Sequence, residues 1–288
     1  MSDDDLDLLP AGELVGRLLA AEERVLPAVR GARAAIAAAA ELIALRMGAG
    51  GKLVLLGAGT SGRLAVVQAA ELPGTFGLAT GDVAGVCAGA GPWLMGTDMD
   101  EDDTGAAVRD LGGTGLDARG VLVAVAASGS TPYTLTAARH AQRLGVAVVA
   151  VTTVAGSPLG SLADVEVAVP VGPELLRGST RLGAGTAQKI ALDAVTTAAM
   201  ARLGRVHGTL MVDVVPANAK LRDRSAGLVA EIAGCPPERA AEALARCDWN
   251  ARAAVLHLLT GLAPADAARH AAAHRTLRAA IAAAGAPR

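Results

Sequence analysis

Aromatic side chains are almost missing: two Trp, one Tyr and one Phe in 288 residues. The hydrophobic share is nonetheless 52%, so small aliphatic residues, Ala above all, supply the apolar surface, and helices built from them should pack closely. A strong charge of either sign is missing as well. The formal charge is -2 and the sequence pI is about 6.2, which gives no positive field for a phosphate backbone and argues against a nucleic-acid partner. No uninterrupted apolar run approaches the roughly 20 residues that span a bilayer. The opening MSDDDLDLLP is acidic rather than basic and then apolar, so no membrane contact and a cytoplasmic location are expected. Cys87, Cys235 and Cys247 are odd in number and lack CxxC spacing. They indicate neither a disulfide framework nor a zinc site and read as small buried apolar residues; no metal is expected.

What is there is a change of pattern. Residues 12–47 are rich in Ala, Leu, Glu and Arg, which suits one or two amphipathic helices. Residues 52–56 (KLVLL) then run into GAGTSGR and the helical LAVVQAAEL; residues 121–126 (VLVAVA) run into ASGSTP, a helix over 133–144 and a further strand over 146–152. Residues 83–88 and 165–169 supply two more strands. Continuous apolar strands separated by helices predict an α/β fold, a doubly wound five-stranded parallel sheet covered on both faces. A long helix is expected over 184–203, and after 235 three short helices divided by Pro, Asn and Gly-Leu-Ala-Pro. The expected organisation is an N-terminal helical segment (1–50), the sheet domain (51–215), and a C-terminal helical region (216–288) with a small three-helix bundle.

Two loops are candidates for binding. In doubly wound sheets ligands bind beyond the carboxyl ends of the strands, where helix N-termini point. Both Gly57-Ala58-Gly59-Thr60-Ser61-Gly62-Arg63 and Ser128-Gly129-Ser130-Thr131-Pro132 lie there. Their glycines permit close backbone approach, their hydroxyls donate, and the following helix offers unpaired N–H groups and a positive dipole end. A phosphate monoester matches those donors. Either loop alone could be a tight turn with a helix cap; two at strand ends of one sheet favour a ligand. Gly57, Gly59 and Gly62 also fit a GxGxxG dinucleotide spacing, but no acidic residue closes a second strand to hold a ribose.

The ordered strings GAGTSGR, AAELPGTFG, AASGSTPY, GPELLRGSTRLGAGTAQK and GTLMVDVVPANAKLRDR resemble the N-acetylmuramic acid 6-phosphate etherase family of sugar-isomerase (SIS) domain proteins. The resemblance runs from about Glu23 to the C-terminus. It implies a SIS-type sheet and cleavage of the ether joining D-lactate to C3 of the sugar, leaving N-acetylglucosamine 6-phosphate. Base removal of the C2 proton, departure of lactate with help from an acid, and addition of water need two carboxyl groups and no cofactor.

By resemblance the acid is Glu71, in AAELPGTFG, and the base falls in GTDMDEDD. Counted back without gaps from Asp110-Leu111 the base is Glu101; matched on the glycine it is Asp98. Glu101 is preferred, although an acidic run facing water is the ordinary alternative. Gly59, Thr60, Ser61, Ser128, Gly129, Ser130 and Thr131 are the expected phosphate and sugar contacts, with Glu174 and Ser179 either lining the pocket or ending elements. Lys189 and Asp193 read as a local ion pair, and His207 as a packed or surface histidine. The family usually has Arg where Ser130 stands, Lys where Gly183 stands and Glu where Ala219 stands, and residues 89–100 depart widely. Changed recognition of the sugar would follow from such losses. The alternatives are a sugar-phosphate sensor resembling the glucokinase regulatory protein, or a hexosamine-phosphate isomerase. SIS-type domains generally pair, so a homodimer with its sites near the subunit boundary is expected.

Overall fold

The computed structural model describes residues 5–89 and 98–285. Five strands appear where the apolar runs stand: β1 (Leu53–Gly57), β2 (Val83–Cys87), β3 (Val121–Val125), β4 (Ala147–Thr152) and β5 (Val165–Ala168). They form one sheet in the order β2-β1-β3-β4-β5. The pairs β1–β3, β3–β4 and β4–β5 run parallel, with Gly57 opposite Val125 and Val125 opposite Val151. Every residue of β1, β3 and β4 is buried, whereas β2 and β5 at the edges are half-buried. Burial on both faces is why the central strands read as unbroken apolar runs instead of alternating ones.

Before the sheet stand α1 (Ala11–Glu22), α2 (Val25–Gly31) and α3 (Arg33–Gly48); around it come α4 (Gly59–Phe76), α5 (Thr104–Gly113), α6 (Pro132–Arg143) and α7 (Gly183–Arg202). Helix α3 packs on β3 and β5, and α6 on β1, β3 and β4. One cluster gathers Val54, Leu56, Leu122, Ala124, Val148 and Ala150 with side chains of α5 and α6; these strand positions are alternate ones, as a period of two requires. Tyr133, the largest fully buried side chain, donates its hydroxyl to Asp110 at 2.7 Å and so ties α6 to α5. Burial and then that bond to Asp110 push its phenol well above the usual tyrosine range.

The chain divides into two compact units. The first comprises residues 1–70 and 84–196, the second 71–83 and 197–288. The second unit holds the ends of α4 and α7 and a set of short helices: α8 (Ala219–Ala233), α9 (Pro237–Arg246), α10 (Ala251–Thr260), α11 (Pro264–Ala272) and α12 (Leu277–Ala283). After Cys235 there are thus four short helices among the described residues, not three. The additional one, α12, has no Pro or Gly before it; its start is marked by Thr276, whose hydroxyl accepts from the Ala279 N–H at 3.0 Å. Within this unit Asp213 is a hub. The Arg252 guanidinium grips its carboxylate with two bonds of 2.6 and 2.7 Å and also donates to the Gly204 carbonyl, while Arg205 approaches the same carboxylate at 3.3 Å. No described helix is long and apolar enough to cross a membrane.

Candidate functional site

With β1 and β3 adjacent and Gly57 level with Val125, the loops that follow them start side by side. The chain leaves β1 toward β2 and β3 toward β4, so the two connections diverge and open a crevice at the carboxyl ends. This is the topological switch point where open α/β sheets bind ligands. The strand order therefore brings both Gly/Ser/Thr loops to one place.

In the first loop Gly59 has φ +54°, and a Cβ there would lie 2.5 Å from Oε1 of Glu101. Only glycine satisfies both the left-handed backbone and the carboxylate above it. A Cβ on Gly62 would meet the Gly57 carbonyl oxygen at 2.5 Å and Cys87 Sγ at 2.6 Å, so this glycine allows α4 to start against β1. Ser61, expected to face a phosphate, donates its hydroxyl proton to Gln188 Oε1 at 2.9 Å inside the protein. Seven residues on, Gln68 Nε2 donates to Thr196 Oγ1 at 2.7 Å. The two contacts advance in the same direction along both helices, so α4 and α7 run parallel here and their N-termini point the same way. Thr60 also comes close to α7: a Cβ on Gly185 would be 3.5 Å from its methyl group.

Two positive helix ends side by side call for negative charge. The chain supplies some itself. Glu174 accepts from the Gly183 and Ala184 N–H groups at 3.0 and 2.9 Å, with Arg24 at 3.9 Å. This expected pocket residue is the cap of α7, reaching back from a loop nine residues earlier. Ser179 lies in the turn between them, its N–H bonded to the Leu176 carbonyl at 3.0 Å. Lys189 and Asp193 form the local pair expected of them, at 2.6 Å.

The second loop is held differently. Gly129 has φ +65° and packs so closely on Ser157 that a Cβ would overlap its side chain; its carbonyl accepts from Leu159 N–H at 2.9 Å. Ser157 is itself fixed, donating toward Glu166 and accepting from the Gly160 N–H at 3.0 Å. Above this floor Ser128 Oγ accepts twice, from the Ser130 N–H at 3.2 Å and the Ser130 hydroxyl at 2.9 Å. Its own proton is thereby directed outward, to solvent or a ligand. Thr131 is the N-cap residue of α6 but makes no side-chain cap bond, and Pro132 opens the helix, which leaves the threonine hydroxyl available to a ligand.

Of the carboxyl candidates, Glu101 stands over the first loop. Asp98 begins the short 3-10 turn Asp98–Asp102 that carries it, and the divergent stretch 90–97 lies outside the described residues. Glu71 is exposed near the far end of α4, its carbonyl accepting the Thr75 hydroxyl at 2.7 Å. Cys87 sits under the first loop. Burial pushes its thiol up, Arg63 pulls it down, and Asp100 and Glu101 add to the rise, so it stays a neutral packing group at neutral pH. Burial pulls His207 below the usual range, with Arg278 adding to the fall. Gln188 and Ser157 escaped sequence reading; the only signals were a polar residue at a helical core position and a Gly-Ser turn after β4.

Comparison with known proteins agrees with this architecture. Two SIS domain family models match, over residues 20–153 and 114–198. An N-acetylmuramic acid 6-phosphate etherase of Rubrobacter xylanophilus is 44% identical over 93% of the chain and 90% of its own length. Those of Cronobacter sakazakii and Streptomyces avermitilis are 42% and 44% identical, over 96% and 92% of the chain and 94% and 86% of theirs. Among solved structures, a ligand-bound Escherichia coli protein covers 70% of the chain and 97% of itself with a TM-score of 0.51 at 20% identity. A Francisella tularensis phosphoheptose isomerase covers 67% and 100%, at a TM-score of 0.51 and 16% identity. At such identities these structures bear on the fold alone.

Proposed function

The chain belongs to the N-acetylmuramic acid 6-phosphate etherase family, and on that premise we propose that it cleaves the D-lactyl ether of N-acetylmuramic acid 6-phosphate. The products are D-lactate and N-acetylglucosamine 6-phosphate, and the step belongs to cytoplasmic salvage of a cell-wall amino sugar. The observation that carries the reading is the likeness to the etherases along 93% of the chain, combined with two hydroxyl-bearing loops meeting at the β1/β3 switch point.

The phosphate binds at the N-termini of α4 and α6, where Thr60, Ser61, Ser128 and Thr131 donate to it along with free backbone N–H groups, while Ser130 acts by aiming Ser128. Its charge is unchanged through the reaction, so these groups anchor. In the open-chain sugar the C2 proton is acidified by the C1 aldehyde. Glu101, poised over Gly59, takes it as the base. The electrons left on C2 form the C2–C3 double bond as the C3–O bond breaks, and lactate leaves with a proton from an acid, Glu71. Water then adds to C3 and a proton returns to C2. Glu174 and Ser179 act by holding the start of α7 beside the first loop.

Glu71 bears on assembly. SIS-type domains generally pair, and in a homodimer with its sites near the subunit boundary a second copy of the chain supplies Glu71 to each site. Helix α1 favours such pairing: it has no buried residue, and Val15 and Leu19 on it, with Leu8 ahead of it, are more than half exposed. The test of the activity is release of D-lactate from the pure protein with N-acetylmuramic acid 6-phosphate. Normal binding of that compound without release of lactate would overturn the etherase reading.

A further inference from the structure

The two buried contacts between α4 and α7 differ in a way that concerns the hydroxyl of Ser61. In the deeper one, Thr196 gives its own proton to the Leu192 carbonyl at 2.8 Å, so it can only accept from Gln68 Nε2 at 2.7 Å. The Oε1 of Gln68 is left as the unpaired end. In the contact beneath the first loop the serine is the donor: Ser61 spends its proton on Gln188 Oε1 at 2.9 Å, and Gln188 Nε2, in a side chain 1% exposed, has no partner among the described residues. The two ends of a carboxamide are nearly equal in size, and both orientations fit the same space. Turning this amide over lets Nε2 donate to Ser61 Oγ and releases the serine proton, with Oε1 becoming the unpaired end in place of Nε2.

We propose that Gln188 is the positioning residue of the first phosphate loop: by rotating its buried amide it converts Ser61 from a donor to the protein into a donor to the bound phosphate. Either orientation leaves one end of the amide unpaired, so the two lie close in energy and the ligand-free loop keeps the hydroxyl turned inward. An arriving phosphate oxygen offers a stronger, charged acceptor, and the amide follows. The second loop needs no such partner, because Ser128 already accepts twice and directs its proton outward. The inference rests on the reading of the first loop as a phosphate site.

The test compares steady-state kinetics on N-acetylmuramic acid 6-phosphate for wild type, Ser61→Ala, Gln188→Glu, Gln188→Met and the double variants with Ser61→Ala. An ionised glutamate at 188 can only accept and so holds the serine proton; because burial favours its protonated form, the kinetics are followed with rising pH and the KM effect is read where that carboxyl has lost its proton. Gln188→Glu is expected to raise KM by about tenfold to a hundredfold, the weight of one hydrogen bond to a charged group, with kcat within about twofold. Gln188→Met, which neither takes the proton nor steers it, should raise KM only severalfold. In the Ser61→Ala background both changes at 188 should have no further effect. Additive losses, or a methionine as harmful as the glutamate, overturn the proposal. Should Gln188→Glu fail to fold, the Gln188→Met and Ser61→Ala cycle decides by the same criterion. A Ser61→Ala variant with wild-type KM would instead sink the phosphate reading of the loop itself, and this inference with it.

Discussion

The two loops at the switch point have nearly the same composition and are built on opposite plans. The loop after β3 is set locally: Gly129 rests on Ser157 from the next βα connection, and Ser128 is aimed by Ser130 two residues away. The loop after β1 is set from afar, by Glu101 above Gly59 and by Gln188 behind Ser61. A phosphate can be gripped by a rigid, ready donor on one side and by an adjustable one on the other. Chemistry is expected on the adjustable side, where Glu101 stands.

The largest effect should therefore fall on the first loop. Glu101→Gln should lower kcat by roughly two to four powers of ten and abolish exchange of the C2 proton with solvent deuterium, read by NMR. Glu71→Gln should lower kcat comparably while leaving some exchange, since deprotonation precedes departure of lactate. Equal mixing of these two inactive proteins, after subunit exchange, should restore about a quarter of wild-type turnover if each site takes one carboxyl from each copy of a symmetric dimer. No recovery would mean that the pair acts within one chain or not at all. If Asp98→Asn, and not Glu101→Gln, stops the exchange, the base is Asp98.

The glycines should separate the loops next. Gly129→Ala places a Cβ against buried Ser157 at positive φ and should destabilise the protein by about 2 kcal/mol or more in urea unfolding. Gly59→Ala places a Cβ at positive φ against the Glu101 carboxylate alone, so a smaller cost of about 1 kcal/mol is expected, with a larger loss in kcat than at Gly129. Equal stability losses would erase the distinction between a rigid and an adjustable loop.

Smaller still is the effect of Ser130→Ala. One of the two bonds to Ser128 remains through the backbone N–H, so KM should rise only about twofold to threefold. The smallest change concerns the packing beneath the second loop. Tyr133→Phe should cost about 1 kcal/mol at neutral pH through loss of the bond to Asp110. Because burial raises the folded-state phenol above its unfolded value near 10, its contribution is complete below pH 10 and lost as pH rises further. Stability of the wild type should then fall more steeply above pH 10 than that of the phenylalanine variant, in chemical denaturation across that range.

The strands, the loops and their hydroxyls were legible because each is written locally: an unbroken apolar run, a Gly-Ser punctuation, a helix start. Glu101 was preferred to Asp98 only by a count along the family resemblance, since spacing says nothing about which carboxyl a 3-10 turn aims at Gly59. Glu174 was legible as a polar residue near α7, yet its capping of Gly183 and Ala184 depends on how the intervening turn folds back. Gln188 was invisible because its meaning comes from the parallel course of α4 and α7. Helix α12 was missed for want of a breaker before Thr276.

The bond between Ser61 and Gln188 joins residues 127 positions apart, and that separation becomes a delay during synthesis. At about 5–20 residues per second, a ribosome that has made the first loop works for roughly ten seconds before the glutamine exists. Ser157 follows Gly129 within a few seconds by the same rate. A nascent chain thus finishes the β3 loop a few seconds before it can finish the β1 loop, and a transcript cut short before α7 yields a protein whose Ser61 has nothing to set its direction.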